Sequence, residues 1–241
     1  METLESIPQD GNIDEQDITT FHDTKQEETE YKEVFVQSFT QAVDTIEKEQ
    51  IFNDKDFNIC LLDIDGVLFK DNMVKLPIVS HFSDTEISER TKKAYNRLVS
   101  ITKGNLVIST NRGEKEKLIF NSGKVLNQVK QLVKSNGNNT PIFTGLFKQK
   151  PGLTTENISN IYQNPNMISE KRVLKPKIDA LVHYIGKLAT EKDYSRYSIT
   201  CIEDWSIVSL NRKDFLVYVS DQLKQLYGIE IEEIRNYVIK R

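Results

Sequence analysis

Cysteine is nearly absent: Cys60 and Cys201 are the only two in 241 residues. That excludes a disulfide-stapled scaffold, fits a reducing cytoplasm and leaves too few thiols for a structural zinc site without histidine. Histidine is as scarce, and His22, His81 and His183 stand at no ligand spacing. No uninterrupted apolar run approaches the length needed to cross a bilayer, so no membrane span is expected. The amino terminus, Met1-Glu2-Thr3-Leu4-Glu5, has neither the basic nor the apolar region of a signal peptide. No internal repeat is evident.

What the chain has is charge, unevenly spread. Residues 1–50 carry 14 Asp and Glu against 3 Lys and Arg, which leaves 22 acidic and 29 basic residues in 51–241. An acidic arm therefore precedes a mildly basic body, and a basic body suits a phosphorylated substrate as well as plain solubility. Residues 1–30 are polar with few aromatics and are expected to be a disordered tail. From 31 to 56 the pattern changes to a helix and linker. Val34, Phe35, Phe39, Ala42, Val43 and Ile46 recur at helical spacing, predicting an amphipathic helix over 31–52. Its apolar stripe either packs on the body or offers a contact to a partner protein.

The body, 57–241, opens on Phe57-Asn58-Ile59-Cys60-Leu61-Leu62-Asp63-Ile64-Asp65-Gly66. An apolar run of strand length suits a central parallel strand covered on both faces. It ends in two carboxylates one residue apart, then a glycine that permits a sharp turn. Two acidic groups this close repel unless a cation or a shared proton relieves them. Ser83-Asp84-Thr85-Glu86 has the form of a capping box before a helix bearing Ala94, Tyr95, Leu98 and Val99, which Gly104 closes. A second strand, 105–110, ends in Ser109-Thr110-Asn111, and a helix is expected over 114–134. Pro141-Ile142-Phe143-Thr144 reads as a short third strand, and 146–172 as a loop. A helix follows Lys175-Pro176, a strand ends in Ile202-Glu203-Asp204, and a helix over 210–227 stops at Gly228. For 229–239 the periodicity fits strand and helix alike. Alternating strands and helices predict an α/β fold, a Rossmann-like parallel sheet flanked by helices, with an acidic amino-terminal extension.

Four features recur in order at the ends of apolar segments or the start of a helix: Asp63-x-Asp65, Thr110, Lys175 and Asp204. The ordering resembles the haloacid dehalogenase superfamily of phosphohydrolases. Asp63-Ile64-Asp65-Gly66-Val67-Leu68 is similar to that family's first motif, Ser109-Thr110-Asn111 to its second, Lys175-Pro176 to its third and Ile202-Glu203-Asp204 to its fourth. The resemblance spans about 57–228. The family's usual second acidic residue after motif four is absent, Val208 and Ser209 standing there, with Glu203 as a neighbouring acid.

The resemblance implies a Mg²⁺-dependent phosphatase working through an aspartyl-phosphate. Asp63 is then nucleophile and metal ligand, and Asp65 is acid and base, lending its backbone carbonyl to the metal. Asp204 is the other metal ligand, Thr110 and Asn111 bind the phosphoryl group, and Lys175 offsets its charge. The chemistry is sound on its own terms. A carboxylate nucleophile splits a difficult displacement into two easier steps, and a cation removes its repulsion from a phosphate dianion. Little room lies between Gly66 and the second strand, and 113–174 allows only a small flap, so no large cap is expected. An open site fits a bulky substrate such as a phosphorylated protein or nucleic-acid end, beside small phosphorylated metabolites. Two other readings stand: a catalytically weak binding or regulatory protein on the same fold, and a phosphotransferase to an acceptor other than water. Cys60 and Cys201 each lie three residues before a site aspartate, so neighbouring strands would bring their sulfurs close, as inert buried thiols or as a redox pair.

Overall fold

The computed structural model describes residues 29–69, 73–74, 81–82, 86–110, 122–137, 139–144, 175–204 and 212–240. The apolar run after the acidic arm becomes a strand buried along its whole length, Phe57–Leu62. It is the second strand of the chain, β2, because the region before it contributes one too. Residues Glu30–Val36 form β1, and the following helix, α1, covers only Phe39–Glu49. The helix predicted over 31–52 is thus corrected: Val34 and Phe35 belong to a strand. Tyr31, Val34, Phe35 and Val36 are aromatic or β-branched and favour a pleated surface. The boundary is written at Ser38, whose hydroxyl caps the helix by accepting from the Gln41 amide at 3.2 Å. Gln41 Oε1 in turn accepts from the Gln37 amide at 2.7 Å, a near relative of the capping box.

Further along the chain come a two-residue pairing of β3 (Met73–Val74) with β4 (His81–Phe82), then α2 (Glu89–Thr102) and β5 (Leu106–Ser109). These are followed by α3 (Ser122–Ser135), β6 (Ile142–Phe143), α4 (Lys175–Ala189), β7 (Tyr197–Asp204), α5 (Arg212–Tyr227) and β8 (Glu233–Ile239). The cap of α2 is Ser88, not Ser83: its hydroxyl accepts from the Thr91 amide at 3.2 Å. Gly104 and Gly228 follow their helices with φ of 95° and 68°, conformations that glycine adopts without strain. The undecided stretch 229–239 is a strand. The disordered tail expected over 1–30, except its last two residues, and the loop expected over 146–172 lie outside the described residues.

Six strands form one parallel sheet in the order β1-β8-β7-β2-β5-β6. From β1 to β2, β2 to β5 and β5 to β6 the chain steps one way across it, and α1, α2 and α3 pack on one face. From β6 to β7 and β7 to β8 it steps back, and α4 and α5 pack on the other. A single hand of parallel crossover demands that division. The strand order therefore reverses between β2 and β7, and the β1 strand extends the sheet beyond β8.

The apolar stripe of α1 is consumed within the protein. Phe39, Ala42, Val43 and Ile46 are all buried against the sheet, leaving the polar face outside. An isolated helix of 11 residues is marginal in water, whereas each large apolar side chain buried contributes roughly 1.5–3 kcal/mol. Packing, not propensity, holds this helix, and the partner contact expected over 31–52 finds its apolar face already covered.

Candidate active site

The carboxyl ends of β2 and β7 flank the place where the strand order reverses, the position at which open α/β sheets bind ligands. Leu62 pairs with Ile202, and the ladder runs one residue further, since the Asp63 amide donates to the Ile202 carbonyl at 3.0 Å. There the chain leaves the sheet. Asp63 Oδ1 accepts from the Ile64 amide at 2.8 Å, the Leu68 amide closes a turn on the Ile64 carbonyl at 3.0 Å, and Gly66 takes a φ of 68°. Ile64, Val67, Leu68 and Phe69 are buried and nail this turn into the core, while Asp63 and Asp65 stay partly accessible. Apolar anchors and polar tips within seven residues explain why this stretch both ends a strand and presents two acids.

On the neighbouring strand Asp204 is the last residue of β7 and is buried, 4% exposed. On the other side of β2, Thr110 follows β5, fully buried, its amide donating to the Phe143 carbonyl at 3.0 Å. Asp63, Thr110 and Asp204 therefore come from three adjacent strands, at the same end of the sheet. Asn111 lies outside the described residues. Lys175 is the first residue of α4, and its side chain lies outside them too.

A lysine that the sequence reasoning missed does reach this end of the sheet. Lys177, 5% exposed in the first turn of α4, donates its Nζ to the Thr110 carbonyl at 2.8 Å. A signal for it exists: Lys177 stands four residues before Leu181 and one before Ile178, on the inward stripe of α4. A cation at the end of an apolar stripe is held beside something that needs it, because burying charge alone is costly. Next to Thr110, the Ser109 hydroxyl is buried and has no hydrogen-bond partner among the described residues.

Glu203, the neighbouring acid of motif four, is fully buried. The strand alternates up to this point, with Cys201 in the core beneath α4 and α5 and Ile202 in the core on the opposite face. Glu203 continues the side of Cys201, where its carboxyl receives the Asn236 side-chain amide. The two cysteines are separated by the same alternation. Cys60 packs in one core and Cys201 in the other, so neighbouring strands place the thiols on opposite faces and no disulfide can join them. Burial pushes the Cys60 thiol well above its ordinary value and leaves it inert.

Among the described residues no three His, Cys, Asp or Glu side chains gather as a metal-holding group. Mg²⁺ does not require one: it keeps several waters and takes one or two carboxylates besides phosphate oxygens. Asp63 and Asp204, hard oxygen donors ending adjacent strands, and the Asp65 carbonyl in the turn fit that demand in kind. No helix among the described residues is long and apolar enough to cross a membrane. No family model matches the chain, and no curated protein matches it.

Proposed function

We propose that this chain is a phosphatase of the haloacid dehalogenase type, hydrolysing a phosphate monoester with Mg²⁺ as cofactor. The observation that carries the reading is the pair of carboxylates, Asp63 and Asp204, ending the two strands between which the sheet reverses. Lys177, whose Nζ donates to the Thr110 carbonyl, brings a cation to the β5 side of the same end of the sheet.

In this reading an Asp63 carboxylate oxygen attacks phosphorus, and the bond from phosphorus to the ester oxygen breaks. The leaving oxygen takes the electron pair and a proton from Asp65. Water then gives its proton back to Asp65 and attacks the aspartyl-phosphate, releasing inorganic phosphate and restoring Asp63. The hydrogen bond that Asp63 Oδ1 accepts from the Ile64 amide fixes its carboxylate plane, an orientation worth having before the attack begins. Lys177 and the Thr110 hydroxyl stabilise charge on the phosphoryl oxygens as it shifts. Bound Mg²⁺ supplies Lewis acidity and cancels the repulsion between carboxylate and phosphate dianion. The substrate class is a phosphate monoester, of a small molecule or a macromolecular end.

The test is hydrolysis of p-nitrophenyl phosphate with and without Mg²⁺ by wild type and Asp63→Asn. Expected are Mg²⁺-dependent turnover by the wild type and a loss of about a thousandfold or more in the variant. Equal and negligible turnover throughout overturns the reading.

A further inference from the structure

Three polar side chains run diagonally across the sheet face that carries α4 and α5. Asn236 of β8, 1% exposed, donates its side-chain amide to the Glu203 carboxyl on β7 and, at 3.0 Å, to the Tyr31 hydroxyl on β1. The strand register fits the diagonal: Asn236 pairs with Glu33 on one side and Cys201 on the other. The Glu203 carboxylate only accepts, so the NH₂ end of the amide faces it. Its carbonyl oxygen is buried and has no partner among the described residues. The Tyr31 hydroxyl also reaches Glu33 at 3.4 Å, and Lys213 Nζ lies 5.2 Å from the centre of its ring. Burial first, then the nearby Glu33 and Glu203 carboxylates, push the Tyr31 phenol above its ordinary value, so it stays a neutral hydroxyl.

An apolar trio of similar shape would pack here at lower cost, since a partly unsatisfied buried network destabilises a core. Local rules are broken in this way chiefly where function requires it. Glu203 marks the requirement. The β2–β7 register, carried one residue past Leu62 and Ile202, sets Glu203 beside Asp63, and Asp204 follows it directly. A carboxyl released at that point can turn toward Asp63 and contend with it for a cation.

We propose that Asn236 and Tyr31 are positioning residues which hold the Glu203 carboxyl under α5, so that the edge strand β1 helps set the carboxylate geometry receiving the metal. The inference rests on the phosphatase reading. The strand acts through Asn236.

The experiment uses the full chain, with Tyr31→Phe and Asn236→Ala. Mg²⁺ binding is titrated calorimetrically without substrate, and p-nitrophenyl phosphate hydrolysis is followed at saturating Mg²⁺. A Glu203 carboxylate loosened beside Asp63 adds an oxygen donor and a negative charge to the cation site, so Mg²⁺ should bind about tenfold more tightly to Asn236→Ala and about threefold more tightly to Tyr31→Phe. KM for the ester at saturating Mg²⁺ should not move, which a general loosening of the fold would not spare. If Asn236→Ala fails to fold, Tyr31→Phe, whose ring still fills the space, decides alone. Wild-type Mg²⁺ affinity in a folded Tyr31→Phe overturns the inference and leaves the phosphatase reading intact. A wild-type chain that neither binds Mg²⁺ nor hydrolyses the ester overturns both.

Discussion

Lys177 donates to a backbone carbonyl from inside the protein, and a buried ammonium is held there against a large desolvation cost. Replacing it with methionine keeps the volume and removes the charge. Lys177→Met should lower kcat on p-nitrophenyl phosphate by about a hundredfold, the scale of one electrostatic contact to developing charge. Its thermal midpoint should fall as well, because removing one partner of a buried polar contact leaves the Thr110 carbonyl unsatisfied. A second residue-scale test concerns Gly186 in α4, where an added Cβ would stand 2.5 Å from the Tyr227 ring of α5. Tyr227 cannot yield freely, since its hydroxyl sits 2.6 Å from His183 Nδ1. Overpacking costs about 1–3 kcal/mol and alanine returns about 1 kcal/mol of helix propensity, so Gly186→Ala should be net destabilised in urea melts. At this scale the sequence speaks clearly where polarity breaks abruptly, as at Asp63 and Asp65 after six buried residues. It is mute where a polar residue hides inside an element. Lys177 passes for helix-start decoration, and Asn236 for one more polar residue in a stretch of mixed period.

Among the elements, β1 is the least legible in sequence, because its apolar residues run into those of α1 at spacings both structures tolerate. Val34 and Phe35 fall in phase with Phe39 and Ala42, and only the Ser38 cap separates strand from helix. The pairing that settles the matter is nonlocal: all seven β1 residues, Glu30 through Val36, register with Glu233 through Ile239. Charge knits that edge. Lys32 meets Glu233 at 2.9 Å, and Arg235 meets Glu233 and Glu49 at 2.7 Å each. Burial works to raise the Glu233 carboxyl, but Arg235 and Lys32 outweigh it and hold it below the usual carboxylate range. A depressed folded value means stability present above the unfolded value, about 4.3, and lost as pH falls through the folded one. Glu233→Gln should therefore unfold at lower urea than the wild type at pH 6. The gap should close as pH falls through the folded value, below which the wild-type carboxyl is protonated as well. Solvent and salt screen the pair, so the gap should also narrow in high salt.

At the scale of the whole molecule, the parallel sheet could be foreseen, because each crossover helix betrays a parallel pair and the site motifs end successive strands. The place of residues 30–49 could not. Their composition joins them to the acidic arm, and no local period tells that a strand will cross from one edge of the sheet to start the chain's first layer. Geometry makes them part of the body. β1 covers the β8 edge, whose exposed amides would otherwise invite pairing with another chain. The α1 helix closes the core that holds Leu62, Ile64 and Leu68, the residues around Asp63. A chain beginning at residue 57, the start of β2, would expose that core face and the β8 edge together. It should aggregate or melt without a cooperative transition, whereas a chain beginning at residue 29 should melt within a few degrees of the full chain. Circular dichroism melts and light scattering on the two fragments decide the matter. A cooperative, monomeric 57–241 fragment would mean that the outer strand and its helix ornament the fold and do not complete it.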